Sequence, residues 1–248
     1  LSKTDSVRRM TTLLNDALHA RKAELEEHIA LAKALDLTLF EGDTVAIGET
    51  ILSASHLLNI KSGLIVHLYN IVEAIMTRTM EEVGRAVLNT EPVDWSNQAL
   101  REWLRFSASI NIEGTEDARL EVVHHAALKL LAKETIDELR FKKPSGTWSD
   151  KVIYAFSQRL NVHFPLNRDI ARIISPLQKY GDQSPLVFLA ERRNAIAHGR
   201  RSFQEGANDL TLNDIQELAT LTIEYLEFAV DAFQQYIENE EYRTSATN

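Results

Sequence analysis

The chain contains no cysteine. Disulfides, thiolate zinc sites and thiol catalysis are therefore excluded. Glycine and proline are scarce as well, 9 and 5 in 248 residues. Sheets joined by tight turns need more of both, so the composition points to helices. There is no long hydrophobic run. The most apolar stretch, residues 57–76, carries Asn59, Lys61, His67, Asn70 and Glu73, which makes it too polar for a membrane span. The first residues mix Lys3, Asp5, Arg8 and Arg9 and show no apolar block of a secretory signal, so the expected location is the cytoplasm. Positive charge is also in short supply. The formal net charge is −9, and from residue 211 onward eight acids face one base, Arg243. Non-specific nucleic-acid binders usually present a broad basic face. An anionic partner must here be met at a small local patch.

What is present is helical periodicity. Hydrophobic residues make up 44% of the chain, enough for a proper core at this length. Residues 5–35 place Met10, Leu13, Leu14, Leu18, Leu25, Ile29 and Leu31 at spacings near 3.6, which predicts a helix. Residues 50–88 carry a long apolar pattern, helical from about Leu64, with 51–60 open between helix and extended chain. Helices are also expected over 97–107, 116–142, 149–160 and 168–180. In the helix expected over 116–142 the apolar set is Leu120, Val123, Ala127, Leu130, Leu131 and Ile136. Ser184-Pro185 is a cap and first-turn pair, and the helix it opens should run to His198 with Gly199 as a left-handed stop. Thr211 and Asp214 resemble a capping box. The helix that follows carries Ile215, Leu218, Thr222, Tyr225, Ala229, Phe233 and Tyr236 at bundle spacing. The fold class read from these patterns is all-α. No linker divides the chain into two domains.

One stretch stands out against the acidic background. Residues 191–201, ERRNAIAHGRR, hold four arginines and one histidine. On a helical wheel Leu186, Leu189, Ala190, Ile196 and Ala197 fall in one apolar arc, and Arg193 falls inside it. An arginine aimed at a core is costly unless it is paired or lines a cleft. Asn194 and His198, four apart, share a flank that the long arginine side chain can reach. His198 would sit in the last helical turn, where the macrodipole favours imidazolium and the nearby arginines oppose it. Histidine is the side chain suited to acid–base work near neutral pH. Arg192, Arg200 and Arg201 would supply phosphate contacts. The competing reading is a histidine that merely caps a helix. Arg119 with His124 has similar spacing but lacks the asparagine, the glycine stop and the flanking arginines, so a solvated helix face explains it better.

The segment Arg193-Asn194-Ala195-Ile196-Ala197-His198-Gly199 resembles the signature of HEPN domains (higher eukaryotes and prokaryotes nucleotide-binding). In that signature an arginine, usually followed by a polar residue, precedes a histidine by four to six positions. LYNIVEAIM at 68–76 resembles the second-helix segment of one bacterial HEPN group, and 169–203, through to the long acidic last helix, resembles its C-terminal half. The resemblance covers most of the chain, most surely 51–242. It implies one HEPN-type helical bundle over 1–248, with additional helices and the helix at 5–35 packed on it, forming a symmetric homodimer with the two motifs facing across a cleft. It further implies a metal-independent endoribonuclease of a toxin–antitoxin or anti-phage system. Arg193 and His198 would then be catalytic, and Asn194 the supporting polar residue. RNA is the implied partner, with an antitoxin or second defence protein as another. A non-catalytic HEPN protein that binds RNA or nucleotide, or acts as an antitoxin-like partner, is the alternative. Asn70 and Glu73 are placed as a second tier near the cleft, against the competing reading of an ordinary polar flank.

The residues suit this chemistry. RNA carries its own nucleophile, the 2′-hydroxyl. Cleavage needs a base, an acid and cations for the developing charge. No carboxylate cluster with metal spacing, Walker loop, dinucleotide glycine pattern or nucleophile elbow is present. No metal or cofactor is therefore expected. Some HEPN toxins carry a tyrosine two residues after the histidine, where a partner enzyme adds AMP; here Arg200 stands there, which puts that mode of neutralisation in doubt.

Overall fold

The computed structural model describes residues 3–107, 115–164 and 167–244. Helix α1 spans Lys3–Phe40 and leads through a small hairpin, β1 (Ala46–Ile47) and β2 (Thr50–Ile51), into α2 (Ala54–Leu88). Then come α3 (Asn97–Ser107), α4 (Glu116–Leu131), α5 (Asp150–Leu160), α6 (Arg168–Ile173), α7 (Pro185–Ala197) and α8 (Leu212–Glu238). The fold is all-α, as the composition indicates, with the hairpin its only sheet among the described residues.

Three long helices, α1, α2 and α8, pack on one another and form the frame. Leu64, Leu68, Ile71, Val72 and Ile75 bury one side of α2, and all seven periodic residues of α8 are buried. In α1 the buried stripe runs through Leu14, Leu18, Leu25, Ile29 and Ala32. Leu31, expected in that stripe, points to solvent instead. The side chains of Met10 and Leu13 lie outside the described residues. The open question over 51–60 resolves into two pieces: an extended strand ending at Ile51, and helix from Ala54. The Ser53 N–H donates to His56 Nδ1 at 3.1 Å at that start.

Two expected helices are shorter than their patterns. The one over 116–142 stops at Leu131. Leu120, Val123 and Leu131 are exposed, and only Ala126 of α4 is buried, so little core contact sustains the helix further. Lys133 takes a left-handed φ of 52°. The chain then leaves helical geometry and buries Leu139 and Phe141. Phe141 and the Leu139 carbonyl lie over Gly84 of α2, where an added Cβ would stand 3.0 Å from that oxygen. The helix over 168–180 ends at Ile173. Pro176 disfavours helical backbone at Ser175, and a 3-10 turn at Gln178–Tyr180 follows.

Helix α7 packs against α2 and α8. Ser184 Oγ accepts from the Val187 N–H at its start, while the hydroxyl donates to Asp150 Oδ1 at 2.6 Å. At its end His198 caps the helix, Gly199 takes φ 67°, and the Arg201 N–H reaches back to the Ala195 carbonyl at 3.0 Å. The predicted glycine stop is thus present. The Thr211–Asp214 capping box also forms: the Thr211 N–H donates to Asp214 Oδ2 at 2.9 Å and the Asp214 N–H to Thr211 Oγ1 at 3.1 Å. The packing of α7 against α2 is what brings a 13-residue helix carrying the arginines to the polar flank of a buried one.

Candidate functional site

Arg193 leaves α7 toward α2. Its guanidinium donates to Glu73 Oε2 at 2.8 Å and lies over the Tyr69 ring, 4.6 Å from its centroid. Tyr69 and Glu73 are four apart and share one side of α2. The arginine inside the apolar arc is therefore paired, as its position required. Of the arc itself, Leu186, Leu189, Ala190 and Ile196 are buried, whereas Ala197 is exposed. Tyr69 is fully buried, and its hydroxyl accepts from the Trp148 N–H at 3.0 Å. Burial, and then the charge of Glu73, push that hydroxyl up to about 12, so Tyr69 stays neutral and serves as the floor under Arg193.

Asn194 continues the network. Its Oδ1 accepts from Arg193 at 3.2 Å and its amide donates to Thr147 Oγ1 at 2.8 Å. Thr147 belongs to the irregular segment that follows Lys143-Pro144. Arg193, Asn194, Glu73, Tyr69 and Thr147 thus form one polar cluster drawn from two helices and a loop. His198 is exposed at the end of α7. Its N–H donates to the Asn194 carbonyl at 3.0 Å, but among the described residues no side-chain hydrogen bond joins it to Arg193 or Asn194.

Arg192 goes elsewhere. Adjacent residues on a helix point about 100° apart, and Arg192 turns inward, only 9% exposed. Its two terminal nitrogens grip Asp209 at 2.5 and 2.8 Å, one of them also donates to the Gly206 carbonyl at 3.0 Å, and its guanidinium lies 4.7 Å from the Phe188 ring centroid. These hydrogen bonds hold the Asp209 carboxyl below the ordinary aspartate range. The expectation that Arg192 contacts phosphate meets a guanidinium whose terminal nitrogens already hold protein acceptors, although it lines the same groove as Arg200 and Arg201. It fixes the loop after the motif. Gly206 closes that loop against α2 and α7: a Cβ there would lie 2.4 Å from Ser62 Oγ and 2.8 Å from Ile196 Cδ1. Ser62 in turn donates to the Phe203 carbonyl at 2.5 Å.

Two open grooves lie near the cluster, one along α7 and one between α1 and α2. One, of about 670 Å³, is lined by Asn194, Arg200, Arg201 and Lys179. Arg200 is exposed and makes no ion pair among the described residues. Arg201 donates to the Glu205 carbonyl at 3.0 Å. The other groove, also about 670 Å³, runs along α2 from Asn70 and Glu73. Asn70 is exposed in it and hydrogen-bonds to no motif residue among those described. Of the second tier, then, Glu73 touches the motif directly and Asn70 does not. Among the described residues no three His, Asp or Glu side chains come together as a metal site, and no helix is long and apolar enough to cross a membrane.

Tyr69, Thr147, Asp209 and Gly206 were not singled out by the sequence. Only Tyr69 carried a usable signal, its place one helical turn before Glu73. A family model described as MAE_28990-like HEPN matches residues 10–242. No curated protein and no solved structure matches the chain.

Proposed function

Since the chain belongs to the MAE_28990-like HEPN family, we propose that its Arg193–His198 motif cleaves RNA by attack of the 2′-hydroxyl, without a metal. The observation that carries this reading is the Arg193 cluster. A guanidinium is held at a groove edge by Glu73, Tyr69 and Asn194, while an exposed histidine caps the same helix. His198 serves as base or acid, and Arg193 stabilises charge on the phosphorane-like transition state. Asn194 is the positioning residue, tied to Thr147 on its far side. Arg200 and Arg201 supply phosphate contacts from the groove they line.

One chain offers one such histidine, whereas transesterification gains from an acid and a base together. We place the working site between two copies in a two-fold homodimer, the commonest closed arrangement, with His198 of each at a shared cleft. The biological setting we assign is a toxin–antitoxin or anti-phage system, with a protein partner that restrains the nuclease.

The test is cleavage of single-stranded RNA in EDTA. The expected products carry 2′,3′-cyclic phosphate and 5′-hydroxyl ends, and DNA of the same sequence survives because it lacks the nucleophile. Loss of activity in EDTA with rescue by magnesium overturns the mechanism.

A further inference from the structure

The groove along α2 extends well past the motif. Asn70, Glu73, Ala74, Thr77, Arg78 and Glu81 line it, and these positions recur at steps of three and four, so they form one face of the helix. Arg21 of α1 stands on the opposite wall. The charges in this groove are mostly cancelled in pairs. Arg193 at its mouth holds Glu73 at 2.8 Å, Arg85 holds Glu82 at 2.6 Å, and Arg21 holds Glu24 at 2.9 Å. Arg78 is the exception. Among the described residues it makes no hydrogen bond or ion pair, and its Nε is buried with no acceptor. Glu81 is unpaired too, the one such carboxylate lining the groove among the described residues.

A partly buried guanidinium without an acceptor is costly; because Nε is enclosed, an anion in the groove meets the terminal nitrogens. Guanidinium suits phosphate oxygens because its fork donates two parallel hydrogen bonds. Arg78 lies five residues beyond Glu73, about 7.5 Å along the helix axis. That is far enough to meet a phosphate other than the one at Arg193. Among the described residues no aromatic ring lines the groove, so these residues offer backbone contact and no stacking platform for bases.

From this we infer that the α1–α2 groove is a second, sequence-independent RNA subsite, in which Arg78 binds a backbone phosphate of the strand leaving the motif. The inference rests on the RNA reading above. It makes Arg78 a binding residue, outside the chemistry at Arg193 and His198.

The test measures binding in the His198→Ala protein over residues 1–248, so that the probe survives. A labelled single-stranded RNA of about 16 nucleotides is titrated by fluorescence anisotropy across a salt series. Each phosphate contact on a single strand contributes about 0.7 to the slope of log K against log salt. Adding Arg78→Gln should weaken binding and flatten the slope by about 0.7. Arg119→Gln, an exposed arginine on α4 outside the groove, should leave it unchanged. Glu81→Lys reads the same groove with the opposite sign, and should tighten binding and steepen the slope. It keeps the test open if Arg78→Gln folds poorly. No RNA binding by the parent protein overturns the RNA reading itself. Binding by the parent with a slope that neither Arg78→Gln nor Glu81→Lys alters overturns the subsite alone.

Discussion

Glu73 and Arg193 lie 120 positions apart in the chain and 2.8 Å apart in space. The pair joins the polar side of α2 to the motif helix α7. Both side chains keep contact with water, 36% and 24% exposed, so the pair contributes little to stability, on the order of 1 kcal/mol or less. Its consequence is orientation: it fixes where the guanidinium stands at the groove.

Arg193→Ala should therefore abolish cleavage while lowering stability by only about 1–2 kcal/mol, the ion pair plus the contact with Tyr69. Arg192→Ala should do the opposite. It removes charged hydrogen bonds to Asp209 and Gly206, each about 1.5–3 kcal/mol, tempered by water reaching the half-exposed Asp209. A loss of about 2–4 kcal/mol is expected. Urea unfolding beside RNA cleavage rates at low temperature checks both. Equal stability losses in the two variants would contradict the division.

His198→Ala should reduce cleavage by at least about 100-fold. His124→Ala should stay near wild type, since His124 sits on the exposed surface of α4. Single-turnover rates on a labelled RNA decide this, and two variants with the same rate would mean that the wrong histidine has been assigned.

Gly206→Ala should destabilise the protein by about 1–3 kcal/mol, the usual cost of overpacking, because the new methyl meets Ser62 Oγ and Ile196. Ser62→Ala in the same chain removes one of the two obstacles and should restore part of the loss. Thermal melts of the four proteins of this cycle measure it. Additive losses would show that the two sites do not share a contact.

The hydrogen bonds from Arg192 hold the folded Asp209 carboxyl below its ordinary value. A depressed carboxylate contributes stability that is complete above its unfolded value, about 3.9, and is lost as the pH falls through the lower folded one. Asp214, held down by Thr211, acts in the same direction. Acid unfolding below about pH 4 should thus be less steep in Asp209→Asn than in wild type. An unchanged acid limb would show that the tether does not report on folding.

If the site is shared between two subunits, mixing wild type with excess His198→Ala and allowing exchange should lower activity per wild-type chain. Activity that stays proportional to wild-type chains, once exchange is confirmed by mass, would mean that each subunit works alone.

The helix caps, the glycine stop and the stripe of α8 were legible in the sequence because they depend on residues a few positions apart. So was the motif itself. What the sequence concealed depends on tertiary contact. Thr147 is an ordinary loop residue until folding sets it 2.8 Å from Asn194. Asp209 reads as loop polarity until Arg192 turns onto it. The pattern over 116–142 predicts a longer helix than forms because apolar spacing alone does not say whether a partner exists, and α4 keeps most of its apolar residues in water. Arg192 reads as one of the phosphate-binding arginines because neighbours in sequence look like one patch, though folding ties its guanidinium to Asp209 and Gly206.

That divergence of adjacent arginines has a bearing on genetics. A selection that scores only loss of activity would return changes at codons 192 and 193 side by side and present them as one hot spot. Immunoblots would split it: position 193 variants should accumulate to normal levels as inert protein, and position 192 variants should be depleted by proteolysis.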